Sequence, residues 1–163
     1  RIMQDMPPAV GVDIFLWDAE DYGKSEVQDS YCLGTQYWCR NPHQPNYRPL
    51  YGINLDMVGA ENARFTREGF SMDYASGGVS KVWRMARQLG YSDLFVSQRT
   101  DGVIDDHLYV NRLANIPMID IIDRPGGNRF FSEWHTLEGD LDVISTYTLE
   151  GVGETLVGVI YRE

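Results

Sequence analysis

Three short apolar runs limit what this chain can become. They are VGVDIFLW (10–17), LYGINLDMVG (50–59) and IPMIDII (116–122). Each is too short for a buried helix, rich in β-forming residues and bounded by turn signals, so each reads as a buried strand. Between and after them lie helical stretches. Residues 31–40 read as a short helix, stopped by the Pro- and Asn-rich NPHQPNYRP that follows. In SMDYASGGVSKVWRMARQLGY (71–91), Val79, Val82, Trp83 and Ala86 recur at helical spacing, and Gly90 is placed as a C-terminal cap. DLFVS (93–97) reads as a short strand and DDHLYVNRLAN (105–115) as a short helix. Residues 145–161 form a last helix with Ser145 as N-cap and Leu149, Val152, Leu156 and Val159 on one face. Apolar strands alternating with amphipathic helices predict an α/β fold, with a mostly parallel sheet covered by helices on both faces. There are no internal repeats, low-complexity tracts or linkers, and 163 residues suffice for one unit with a real core.

The charge pattern narrows function. The net charge of −10 argues against nucleic acid, whose phosphates call for a basic face. It suits a cationic ligand such as a peptide N-terminal amine if the acids cluster; otherwise it serves solubility. No apolar run reaches the roughly 18 residues of a membrane span. No signal peptide is present, and the chain opens on Arg1 rather than Met. Cys32 and Cys39 are seven residues apart. On a helix their Cα atoms would lie about 10 Å apart, beyond disulfide reach, so both are expected as free thiols.

The acids fall where strands end. VGVDIFLW runs into Asp18, Glu20 and Asp21, GINLD ends on Asp56, and Asp105, Asp106 and His107 precede the short helix. Trp134 and His135 lie in the loop after the third strand. Open α/β sheets bind ligands beyond the carboxyl ends of their strands. Carboxylates with an imidazole are ordinary zinc ligands, and a further carboxylate nearby can act as general acid or base. Each residue also has a plainer role. Asp21 could cap a turn, Asp106 could be a helix N-cap, His107 could be a satisfied core histidine, and His43 sits exposed among prolines. Asp56 resists such an explanation, because an acid inside a buried run needs a partner or a task.

LDMVG, DDH before an apolar helix, the IP strand, and WHT before LDVIS, in that order, resemble the zinc aminopeptidase and glutaminyl cyclase superfamily, with the bacterial animal-type glutaminyl cyclases the nearer branch through DDH and EWHT. The resemblance implies a zinc-exopeptidase-like fold and a single catalytic zinc. It implies Asp21 and His135 as metal ligands, Glu20 as proton shuttle, Asp56 and Asp105 as supporting acids, and Trp134 and Phe130 as the lining of the substrate pocket. The implied reaction converts an N-terminal glutamine to pyroglutamate and releases ammonia, with a peptide or protein N-terminus as substrate. The implied location is secreted or periplasmic, with a lipid anchor in some members.

Two departures stand out. The family carries Glu-Glu where this chain has Glu20-Asp21, and the family's first metal-binding Asp lies well upstream of the first strand, where this chain has only Asp5. Residues 1–163 are therefore read as the C-terminal portion of a single larger domain. Two alternatives follow: a zinc aminopeptidase hydrolysing N-terminal residues, with Asp56 on a second metal, or an inactive, metal-free homologue acting as a binding module.

Overall fold

The computed structural model of the chain describes residues 2–126 and 128–163. After a single turn of helix, α1 (Ile2–Asp5), come α2 (Leu33–Arg40), β1 (Gly52–Asp56), β2 (Phe65–Arg67) and α3 (Gly69–Leu89). β3 (Phe95–Arg99), α4 (Asp106–Tyr109), β4 (Met118–Ile122) and α5 (Thr146–Ile160) complete the order. α4 runs on as a π-helical turn over Val110–Ala114. β1 pairs with β4 and β2 with β3, both parallel. An antiparallel bridge between Phe65 and Asp123 links β2 to the end of β4. This is the expected α/β architecture.

Every residue of β4 is buried. Successive strand side chains point to opposite faces, and both faces are covered. Ile119 and Ile121 join Val79, Val82 and Ala86 of α3 and Val152 and Val159 of α5 in the main core. Met118 belongs instead to a second cluster with Val110 and Ile116, against which Trp17 and Trp38 pack.

α3 starts where Glu68 folds its carboxylate back onto the amides of Phe70 (2.9 Å) and Ser71 (2.6 Å). It ends at Gly90, whose φ of 99° suits glycine and whose amide returns to Ala86 and Arg87. Ser145 caps α5, as expected. None of the described helices is long and apolar enough to cross a membrane. Both cysteines are free thiols.

Three expectations need correction. Residues 10–17 form no strand, and Ile14 and Leu16 are 85% and 93% exposed. A strand exists only through its ladder, and no described strand lies alongside this segment. Its aromatic residues pack locally instead, Phe15 stacking on Trp17 at 5.1 Å and meeting Trp38 edge-on at 5.0 Å. The N-cap of α4 is Asp105, not Asp106, because Asp105 is the residue in extended geometry and its side chain accepts the Asp106 amide at 2.6 Å. Leu149 is exposed, whereas Val152 and Val159 carry the buried face of α5. β2 was not anticipated; three residues are too few for a period to show.

Candidate active site

The turn after residues 10–17 is held by the start of α2. The amides of Cys32, Leu33 and Gly34, unpaired within the helix, donate to the carbonyls of Glu20 (2.8 Å), Ala19 (3.1 Å) and Asp18 (3.2 Å). The fit requires glycine at 34, since a Cβ there would lie 2.5 Å from the Asp18 carbonyl oxygen. Ala19 adopts φ 50°, and the chain then turns so that Glu20 is half-buried and Asp21 exposed. From the far side of the sequence, His135 brings its Nε2 to 2.8 Å from Asp21 Oδ2, with both side chains about half exposed. His135 is itself left-handed at φ 58°, a conformation uncommon for a non-glycine residue. Its ring stacks on Trp134 (centroids 4.0 Å), Trp134 lies on Phe130 (4.5 Å), and the Arg124 guanidinium covers Phe130 (4.8 Å).

Behind this pair is a concentration of acids. Burial, then repulsion from Asp21, Asp56 and Asp106, pushes the Glu20 carboxyl up to about 7, with His135 opposing. Asp56, at the end of β1, is raised to about 6, chiefly by burial and then by Asp106 and Asp21. Burial and the neighbouring Asp56 hold Asp105 well above the ordinary carboxylate range. Asp106 is raised by burial, against a 2.5 Å hydrogen bond from Thr35 Oγ1. Charges crowded in a poorly solvated place favour the neutral acid.

The fold thus gathers Glu20, Asp21, Asp56, Asp105 and His135 at one place, with Phe130 and Trp134 at its side. His43 stays outside, exposed and accepting a hydrogen bond from Trp38 Nε1 at 3.2 Å. His107 is a core residue, wholly buried, donating from Nε2 to Glu68 at 3.0 Å.

Several participants escaped the sequence reading. Asn54 Nδ2 donates to Asp105 Oδ2 (2.7 Å) and to Asp120 Oδ1 (3.2 Å), tying the site to a second buried group of Asp120, His107 and Glu68. Asp120 carries the same signal as Asp56, an acid inside an apolar run. Asn54, Glu68 and Cys32 carry no comparable signal. Cys32 lies beside Glu20 and Asp105, close enough for the three ligand atoms to fall within 4.8 Å of one another. Burial and the surrounding acids push its thiol far up, which makes it a poor thiolate donor.

The donors at the surface fit a zinc ion better than the buried ones do. Asp21 and His135 bring a carboxylate oxygen and an imidazole nitrogen within 2.8 Å of each other at an exposed spot, and both are donor types that zinc accepts.

The pattern of Peptidase family M28 matches residues 1–160. The chain belongs to this family. Among solved structures, this M28 chain superposes on the Bacteroides thetaiotaomicron glutaminyl cyclase bound to N-acetylhistamine with a TM-score of 0.96 and 43% identity, covering 100% of this chain and 58% of that one. A leucine aminopeptidase precursor from Bacteroides thetaiotaomicron VPI-5482 matches with 0.94 and 43%, covering 100% and 57%. A Zn-dependent exopeptidase from Parabacteroides distasonis ATCC 8503 matches with 0.94 and 44%, covering 99% and 57%. The M28 chain therefore spans less than three-fifths of the length of these relatives. Comparison with curated proteins finds no match. Its fold is that of the glutaminyl cyclases and zinc exopeptidases, and its relatives are enzymes.

Proposed function

We propose that residues 1–163 are the C-terminal portion of one zinc-exopeptidase-like domain in a glutaminyl-peptide cyclotransferase, which converts N-terminal glutamine to pyroglutamate. The observation that carries this reading is the 2.8 Å pairing of Asp21 with His135 beside half-buried Glu20. Asp21 and His135 would hold the zinc, which when bound draws electron density from the γ-amide carbonyl. Glu20 accepts a proton from the substrate's α-amine as that nitrogen bonds to the side-chain amide carbonyl carbon. It returns the proton to the amide nitrogen as the carbon–nitrogen bond breaks and ammonia leaves. Nothing is oxidised or reduced. A shuttle works best with a pKa near the operating pH, and Glu20 sits at about 7. Asp105, fixed by Asn54 and the Asp106 amide, and Asp56 beside it form the supporting hydrogen-bond network. The exposed face of Trp134, with Phe130 against it, offers a flat wall for the glutaminyl side chain.

The equal identity to a leucine aminopeptidase precursor favours a second reading, hydrolysis of an N-terminal peptide bond with Glu20 as base. The two readings separate in one assay on the complete, zinc-loaded protein. A glutaminyl fluorogenic amide is offered with and without a coupling pyroglutamyl peptidase, beside a leucyl amide. A cyclase yields fluorescence only with the coupling enzyme. Direct release from the leucyl amide would replace cyclisation with hydrolysis. Metal analysis bears on the third possibility: about one zinc per chain accords with the cyclase and about two with the peptidase, and none with a binding module. A secreted or periplasmic location is part of the proposal, and cell fractionation checks it.

A further inference from the structure

Away from the acids, one groove is lined by cations. On α3, Ser80, Trp83, Arg84 and Arg87 follow the i, i+3, i+4, i+7 spacing of a single helical face, and all four line a groove of about 470 Å³ against β2 and β3. Arg67 enters from the end of β2. The floor is built rather than incidental. The Trp83 indole N–H donates to the Val96 carbonyl at 2.9 Å, and Trp83 meets Phe95 edge-on at 5.3 Å, so helix and strand are tied together beneath the arginines. Ser92 and Ser97 add hydroxyls to the rim.

Three facts point to a ligand. Among the described residues, no Asp or Glu lines the groove, in a chain with 24 acids and 14 Lys and Arg. Among the described residues, none of Arg67, Arg84 and Arg87 has a carboxylate within 4.0 Å, whereas Arg99, the register partner of Arg67, is paired with Asp73 at 2.7 Å. The Nε of Arg67 is buried and has no hydrogen-bond partner. Like charges in adjacent strands are unfavourable, and a buried N–H with no acceptor is costly. An anion in the groove would relieve both.

We propose that this groove binds a small molecule carrying a multivalent oxyanion, a phosphate or sulfate group, held by Arg67, Arg84 and Arg87. Guanidinium groups suit such ions because their planar forks can donate two hydrogen bonds to adjacent oxygens. The volume is that of a small-molecule site. The groove shares no residue with the Glu20–His135 site, so this inference stands apart from the proposed activity.

The test titrates inorganic pyrophosphate, and separately sulfate, into the protein that carries this chain, by calorimetry at low ionic strength, with acetate as the monovalent control. Saturable binding of either multivalent probe is expected, with a Kd below about 1 mM, while acetate does not saturate. The R84Q/R87Q double variant, altered on an exposed helix face and so harmless to folding, should bind at least about tenfold more weakly. The R48Q variant removes a charge outside the groove and should bind like the parent. No saturation by either probe, unchanged binding in R84Q/R87Q, or equal weakening by R48Q would each overturn the site.

Discussion

His135 Nε2 lies 2.8 Å from Asp21 Oδ2, joining the loop that follows β4 to the turn that precedes α2. Glu20 is the next residue back from this pair, on the buried side. Adjacent residues of one turn thus face different surroundings, Glu20 half-buried and Asp21 exposed, and the different tasks proposed for them rest on that contrast.

Separating those tasks is the first prediction. In the complete protein, Glu20→Gln should lower turnover by about 10²–10⁴-fold, the usual contribution of a general acid–base, while zinc content is unchanged. His135→Ala should lose both turnover and zinc. Elemental analysis beside the coupled assay reads both, and an active Glu20→Gln variant would end the shuttle assignment.

Gly34→Ala is the second. The added Cβ would press on the Asp18 carbonyl at 2.5 Å, and backbone on both sides leaves little room to yield. Overpacking of this kind costs about 1–3 kcal/mol. The variant should also lose activity, because the amides of Cys32, Leu33 and Gly34 are what hold the Glu20–Asp21 turn. Denaturant midpoints and turnover measured together check this; a fully active, fully stable variant would contradict it.

Glu68 supplies the third. Wholly buried, it accepts from Phe70, Ser71, Val103 and His107. Glu68→Ala strands all of these donors and should destabilise by about 3–5 kcal/mol, as when one member of a buried pair is removed. Glu68→Gln keeps most acceptors and should cost less. Equal losses for the two variants would mean that volume, not hydrogen bonding, sets the effect.

The zinc-free protein should be more stable in mild acid than at neutral pH. Asp56 is raised to about 6, and Asp105 and Asp120 lie well above the ordinary range, each chiefly through burial. A carboxylate raised on folding costs stability while ionised, and that cost disappears as pH falls through the folded value. Glu68 acts oppositely. Burial raises it, but hydrogen bonds from His107 and Ser71 win and bring it to about 2. Its contribution is present above the ordinary value of 4.5 and is lost as pH falls from there towards 2. Urea midpoints should therefore rise as pH falls from about 8 to about 4, and turn down only near about pH 3, where the raised aspartates are protonated in both states and the Glu68 loss dominates. A midpoint that rises steadily towards pH 8 would refute this balance.

Much of the helical framework was legible locally. The face Val79–Val82–Trp83–Ala86, the Gly90 cap and the Ser145 cap each depend on residues within one or two turns, and the structure has all three. Asp56 was legible because an acid within an apolar run is costly; Asp120 carried the same sign in MIDII and was passed over. Residues 10–17 misled because an apolar pattern reports what a segment would bury, not whether a neighbouring strand is there to pair with it.

The sequence by itself determined the longer helices, the caps at Gly90 and Ser145, the parallel α/β class and an acid, Asp56, at the end of a core strand. These follow from backbone geometry and side chains a few residues apart. Only the tertiary structure decided that His135 meets Asp21, that His107 belongs to Glu68 in the core, and that three arginines share one groove. Hydrogen bonding, burial and charge repulsion act over a few ångströms in space, and which groups come that close depends on how distant segments pack.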